Sequence, residues 1–98
     1  MITRIVLLKL KNEFAPERDA IARGARDFLC GRPQPASVVV NVPADAASAG
    51  SWDINFIIQF HHPEDLSAWV TDAEHGRWLE EDILPRVEMR KAWNFETI

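Results

Sequence analysis

The first segment of the chain, residues 2–11, restricts the possible folds more than any other part of the sequence. It reads ITRIVLLKLK, is rich in β-branched residues, and is followed by Asn12 and Glu13, as is typical of a β-strand. Successive side chains of a strand point to opposite faces, and here apolar residues occupy both faces in the middle of the segment. Another layer of structure must therefore cover each face of this strand.

Three more segments are predicted strands. Residues 52–60 show the most regular alternation, with apolar side chains from Trp52 to Phe60 on one face and mostly polar ones on the other. The other two predicted strands cover residues 37–42 and 89–96.

Helical spacing of apolar residues predicts helices at residues 16–29, 63–70 and 73–84, and proline and glycine mark several of their ends. Gly31 is expected to end the first helix in the left-handed conformation. Residues 44–51 are small and show no periodicity, so they are expected to form a flexible loop.

The order of these elements matches a split βαβ, ferredoxin-like α+β sandwich with a four-stranded antiparallel sheet. The helices of such a sandwich cover one face of the sheet and leave the other face open. The open face is predicted to carry a mixture of side chains, namely Thr3, Ile5, Leu7, Asp53, Asn55, Ile57 and Gln59. The same face of a second copy would remove the apolar ones from water, which predicts a homodimer through the open sheet face, with the two sheets closing into an α+β barrel.

Length and charge narrow the class of protein further. A chain of 98 residues is expected to form one domain over residues 1–98. The net charge of −4 disfavours a nucleic-acid partner, because such a partner is usually met by a clustered basic face. The single cysteine, Cys30, cannot form an internal disulfide, and the apolar run at residues 5–8 is too short for a signal peptide or a membrane span. A cytoplasmic protein without a targeting segment or a membrane partner is expected.

Four stretches of sequence carry a recognisable pattern. They are MITRIVLLKLK at residues 1–11, WDINFIIQF at 52–60, WVTDAEHGRW at 69–78 and, within 84–96, LPRVE and NFE. Together they resemble the stress-responsive A/B barrel (Dabb) family, over nearly the whole chain and in the right order. The resemblance implies a homodimeric α+β barrel. Most members of that family have no established activity, and one plant member of similar layout is a polyketide cyclase.

The resemblance also implies roles for individual residues. The catalytic pair of that cyclase is a histidine, which matches His75, and a tyrosine six residues earlier, which matches Trp69. The indole of Trp69 can donate a hydrogen bond but cannot exchange a proton near neutral pH. Many family members carry a histidine in the first strand where this chain has Arg4, which stays protonated and can hold a carboxylate or enolate but cannot act as a base.

Two candidate catalytic residues follow, each with a structural alternative. His75 is suited to remove a proton next to a carbonyl as a general base, or it caps the helix backbone or packs against Trp78. Arg4 is suited to stabilise the developing oxyanion, or it forms a buried ion pair with an acid such as Glu81 or Asp82.

Large apolar side chains either line a cavity for a small organic ligand or form the core. The candidate ligand-binding residues are Val6, Leu8, Ile54, Phe56, Trp69 and Trp78. No metal and no cofactor are expected, because His61 and His62 are adjacent and would point apart, and no phosphate-binding loop is present. The sequence favours a Dabb protein that binds a small organic molecule between sheet and helices. The alternative is a cofactor-independent cyclase or lyase that uses His75 as base on a polyketide-like or aromatic substrate.

Overall fold

The computed structural model describes all residues from 1 to 98 and contains four strands and four α-helices. The strands are β1 (Ile2–Leu10), β2 (Ser37–Asn41), β3 (Ile54–Phe60) and β4 (Val87–Glu96). The α-helices are α1 (Arg18–Cys30), α2 (Ala46–Ala49), α3 (Pro63–Val70) and α4 (Ala73–Trp78). A 3₁₀ segment (Asn12–Glu17) precedes α1, and a π-helical turn (Leu79–Ile83) and a 3₁₀ turn (Leu84–Arg86) lead from α4 to β4. None of the helices combines the length and the apolar character needed to cross a bilayer.

The four strands form one antiparallel sheet in the order β2-β3-β1-β4. In its centre, Ile5 of β1 lies opposite Ile57 of β3 on one side and Trp93 of β4 on the other. The α-helices α1, α3 and α4 pack on one face of this sheet, so the order of elements in the sequence led to the correct architecture. The predicted ferredoxin-like α+β fold is confirmed.

The core lies between the sheet and these helices. Every second residue of β3 is buried, from Ile54 to Phe60, so the alternation in the sequence correctly identifies the face that meets the helices. The buried apolar residues are Val6, Leu8, Leu10, Ile21, Ala22, Ala25, Leu29, Ile54, Phe56, Ile58, Phe60, Trp69, Trp78 and Ile83. Full burial of a large apolar side chain contributes about 1.5–3 kcal/mol, so this single layer is the main source of stability.

Two local predictions are wrong. Residues 44–51 are not irregular, because α2 lies within them and the Asp45 carboxylate caps it by accepting a hydrogen bond from the Ser48 N–H at 2.8 Å. One helical turn is too short to show a periodic pattern. Gly31 has φ −85° rather than a left-handed conformation, and its N–H donates to the Phe28 carbonyl at 3.1 Å, continuing the last turn of α1.

The sheet face away from the helices is open in the single chain. Trp93 and Phe95 of β4 are each about half exposed there and enlarge its apolar surface beyond the predicted set. Asp53 is more buried than the other polar side chains predicted for this face, since it is only 6% exposed and its Oδ2 accepts a hydrogen bond from the Leu10 N–H at 2.8 Å. The same oxygen lies 3.5 Å from the Lys9 ammonium. Asp53 therefore fastens the end of β1 to the start of β3.

Candidate functional site

The candidate site lies where α3 and α4 meet β1, and the turn between the two helices positions His75. The Asp72 carboxylate caps α4 by accepting a hydrogen bond from the backbone N–H of His75 at 2.8 Å. Arg32 holds the same turn, because its guanidinium lies 3.0 Å from the Asp72 carboxylate and 2.6 Å from the Glu74 carboxylate. These contacts involve the backbone of His75 and leave its imidazole available for another role.

The imidazole of His75 is buried among aromatic rings. The residue is 6% exposed, and the ring centroid lies 3.9 Å from that of Trp69 and 6.1 Å from that of Trp78. Burial lowers the pKa of the His75 imidazole, the Asp72 carboxylate opposes that shift, and three nearby guanidinium groups lower the pKa further. His75 is therefore neutral at neutral pH, which is the form that a general base requires.

Arg4 lies beside Trp69 and has no acidic partner. Its guanidinium carbon is 5.6 Å from the Trp69 ring centroid, and its Nη1 donates to the Asn94 side-chain oxygen at 2.9 Å. The alternative of an ion pair with Glu81 or Asp82 is wrong, because Arg4 takes part in none of the ion pairs of the chain. Arg4 is thus held on β1 by a neutral side chain of the neighbouring strand.

Arg90 places a second positive charge at the same site. It is exposed on β4, lines the same small space as His75 and Trp69, and also has no acidic partner. Burial, followed by the charge of Arg90, lowers the pKa of the Arg4 guanidinium. Most of β4 is exposed on both faces, so solvent reaches the site from this edge of the sheet.

Three buried nitrogens at this site have no hydrogen-bond partner in the protein. They are Nε of Arg4, Nε1 of Trp69 and Nδ1 of His75, and we call these three residues the polar cluster. An unpaired buried polar group costs about 1–3 kcal/mol, and folded proteins contain few of them. Only two other buried side-chain atoms, Arg32 Nε and Gln34 Oε1, lack a partner in this chain. Concentration at one place distinguishes the polar cluster from a satisfied core.

The six predicted ligand-binding residues are packed as core around and below the polar cluster. All of them are at least nine-tenths buried, and Trp78 stacks on Phe28 with ring centroids 4.4 Å apart. The space left between Trp69, His75 and Trp78 is about 10 Å³, the lower limit for a single water molecule. A ligand can enter this part of the core only if side chains or α4 move.

The largest cavity of the chain, about 370 Å³, lies elsewhere. It is at one end of the open sheet face, next to the segment that joins β2 to β3. Its lining residues are Leu7, Asn41, Val42, Pro43, Ser48, Ser51, Trp52, Asp53, Ile54 and Asn55. Neither His75 nor Arg4 contributes to it, and Ile54 is the one predicted ligand-binding residue that does.

The histidines of the HHP sequence are surface residues. His61 and His62 are exposed, and their ring centroids lie 6.3 Å apart. No group of three or more His, Cys, Asp or Glu side chains is placed to hold a metal ion.

Three residues of the site were missed by reasoning from the sequence: Asp72, Arg32 and Arg90. Asp72 could have been found, since an aspartate three positions before His75 is a typical helix N-cap. Arg32 lies 40 residues from Asp72 in the chain, and no local pattern connects them. Arg90 becomes part of the site only through the register that pairs it with Leu8.

The sequence profile of the Stress Responsive A/B Barrel Domain matches residues 2–97. The chain belongs to the stress-responsive A/B barrel (Dabb) family. The resemblance read from the sequence is therefore confirmed over nearly the whole of this Dabb chain. None of the curated proteins compared with it matches.

Solved structures share the fold of this Dabb protein at low identity. A Dabb family protein with a ferredoxin-like fold from Mesorhizobium loti has a TM-score of 0.82 at 13% identity, covering 99% of this chain and 96% of that one. A dimeric ferredoxin-like protein of unknown function from Thermobifida fusca has a TM-score of 0.80 at 18% identity, and the match covers 98% of this chain and 90% of that one. A hydroxynitrile lyase from Passiflora edulis has a TM-score of 0.78 at 15% identity, and the match covers 99% of this chain and 95% of that one.

These likenesses establish the fold and leave the activity open. One fold serves a lyase and proteins of unknown function, so it assigns no activity to this Dabb protein. Any functional conclusion has to come from the polar cluster and its surroundings.

Proposed function

We propose that this Dabb protein binds a small organic molecule at the polar cluster, between the sheet and the helices. The observation that carries the proposal is the meeting of Arg4 Nε, Trp69 Nε1 and His75 Nδ1, all buried and without partners. A molecule with matching polar atoms would pair with them and remove a cost that the unliganded fold bears. Apolar neighbours such as Trp78 would contact the rest of the molecule.

Binding at this place requires side chains or α4 to shift, and the local structure is suited to a movement of α4. The helix is short, and Arg32 is the side chain that ties its N-terminal turn to the end of α1. The π-helical turn Leu79–Ile83 follows it directly, and such turns occur frequently at functional sites. Movement of α4 would separate His75 and Trp78 from β1 and enlarge the space between them.

Thermal-shift and tryptophan-fluorescence titrations test this proposal with aromatic and polyketide-like acids, together with their neutral analogues. Ligand at a hundredfold excess over its Kd adds about 2.7 kcal/mol to the free energy of unfolding, a readily measured shift. The response should be lost in Trp69→Phe and kept in Trp52→Phe, whose partly exposed indole lies at the other cavity. A flat response across the whole panel would contradict the proposal.

A cofactor-independent lyase or cyclase is the second candidate, with His75 as general base on a polyketide-like or aromatic substrate. The neutral, unpartnered imidazole supports it, and so does the fold shared with a hydroxynitrile lyase. Trp69 and Arg4 would donate hydrogen bonds to a developing oxyanion. Incubation with an aromatic cyanohydrin should release cyanide above the buffer rate, and His75→Gln should abolish the excess. Release that is unchanged in this variant would exclude His75 as the base.

A homodimer through the open sheet face is also proposed. Apolar side chains of all four adjacent strands meet on that face in the register Val39, Ile57, Ile5 and Trp93. Solved relatives are dimeric ferredoxin-like proteins, which supports the same arrangement for this chain. Sedimentation at micromolar concentration should give the dimer mass, and a monomer mass would contradict the proposal.

A further inference from the structure

Resting on the small-molecule site proposed above, we infer that its ligand is an organic carboxylate whose charged group binds between Arg4 and Arg90. The apolar body of that ligand, best an aromatic ring, would lie against Trp69. The inference comes from the charges and the hydrogen-bonding capacities of this chain's own side chains.

The positive charges of Arg4 and Arg90 are not compensated by any ion pair. The chain as a whole carries a net charge of −4, yet Arg4 and Arg90 lie on the same face of the sheet, near enough that, besides burial, the charge of Arg90 lowers the pKa of the Arg4 guanidinium, and neither has an acidic partner. The nearby Asp72 carboxylate is already used by Arg32 and by the backbone N–H of His75. Two guanidinium groups without a counter-charge repel each other. A bound anion would remove this repulsion and form a charge-assisted hydrogen bond with each of them.

The polar cluster contains hydrogen-bond donors that lack acceptors. Arginine and the tryptophan indole can only donate hydrogen bonds, so Arg4 Nε and Trp69 Nε1 can be satisfied only by acceptor atoms. His75 Nδ1 completes the set as donor or acceptor, depending on its tautomer. A ligand that matches this set must offer at least two acceptor positions, and the two oxygens of a carboxylate supply them together with the charge that the arginines favour.

The surroundings of the polar cluster are mainly apolar. The space beside the polar cluster is lined mainly by Val6, Leu8, Phe56, Trp78 and Leu79. An inorganic anion would gain nothing from these side chains and would lose its hydration among them. An aromatic acid would place its carboxylate at the arginines, near the exposed edge at β4, and its ring among the apolar groups.

Calorimetric titration with matched pairs tests the inference, using 2-naphthoate against 2-naphthamide and cinnamate against cinnamamide. Loss of one charged hydrogen-bonding partner typically weakens an interaction by roughly tenfold to a hundredfold. The carboxylates should therefore bind at least about tenfold more tightly than the amides, and R4Q and R90Q should each remove most of that preference. The matched control R26Q removes an equal charge from the exposed part of α1 and should preserve it.

The possible results distinguish a failure of the carboxylate inference from a failure of the proposed small-molecule site. Equal binding of acids and amides would keep the small-molecule site and overturn the inference. Binding of neither would overturn both. Competition by inorganic phosphate as strong as that of naphthoate would overturn the assignment of an organic ligand. Because Arg90 is exposed, R90Q is expected to fold, so an acid preference that persists in R90Q overturns the inference even if R4Q is unstable.

Discussion

Replacing His75 by leucine is expected to stabilise the fold while weakening ligand binding. The imidazole is 6% exposed and its Nδ1 has no partner, so the folded state bears the cost of a desolvated polar atom. Leucine is apolar and of similar size, and it removes that cost. The cap on α4 is kept, because Asp72 accepts its hydrogen bond from the backbone N–H of residue 75.

The size of the effect follows from two opposing contributions. Removal of an unpaired buried polar group gains about 1–3 kcal/mol. Loss of the ring that lies 3.9 Å from Trp69 costs about 0.5–1.5 kcal/mol, the typical worth of an aromatic pair. The net gain in the free energy of unfolding is on the order of 1 kcal/mol, which corresponds to about 4–8 °C in Tm for a domain of this size.

Urea unfolding followed by tryptophan fluorescence at pH 7.5 measures this difference. His61→Leu is the matched control, since that histidine is exposed and its replacement should change stability by less than about 0.5 kcal/mol. A loss of about 1 kcal/mol or more in His75→Leu would refute the reasoning. That result would mean that the imidazole makes a structural contact and is an ordinary core histidine.

Three further predictions follow from the same contacts. The free energy of unfolding should fall as the pH decreases below about 6.5, because burial lowers the pKa of the folded His75 imidazole and only the unfolded state then binds the proton. The stability difference between His75→Leu and the unmodified protein in urea should therefore widen at lower pH. A constant difference would contradict the lowered pKa. If the proposed dimer forms, Trp93→Glu, which places a charge opposite Ile5 on the open face, should sediment as a monomer; a dimer mass for this variant would exclude this face as the interface. Asp53→Ala leaves the Leu10 N–H unpaired and should cost about 1–3 kcal/mol in urea unfolding, whereas no loss would show that water replaces the carboxylate.

Patterns in the sequence predicted the four strands and, for β1 and β3, the face that each strand buries. The alternation of residues 52–60 was sufficient for β3, because the direction of a strand side chain is set by its own backbone. The same alternation placed Asp53 on the open face but did not predict that its side chain is buried. Its position depends on the Leu10 N–H, 43 residues away in the chain, and a local pattern contains no information about such a partner.

The candidate site was predicted only in part. His75 and Arg4 were identified from the resemblance to the Dabb family, and the structure brings both beside Trp69. Their surroundings could not be predicted, since Asn94 rather than an acid holds Arg4, and Arg90 joins it from a neighbouring strand. Pairing across β1 and β4 decides these contacts.

The sequence by itself determined the order of elements, the buried faces and the family, because these depend on periodicity and on residue types along the chain. Only the tertiary structure decided that the space below Trp69 and Trp78 is closed to about 10 Å³, since packing depends on how side chains from distant segments interlock. The tertiary structure also decided that the three buried nitrogens of the polar cluster have no hydrogen-bond partner. Whether a polar atom finds a partner depends on every group that the fold brings near it, and no stretch of sequence contains that information.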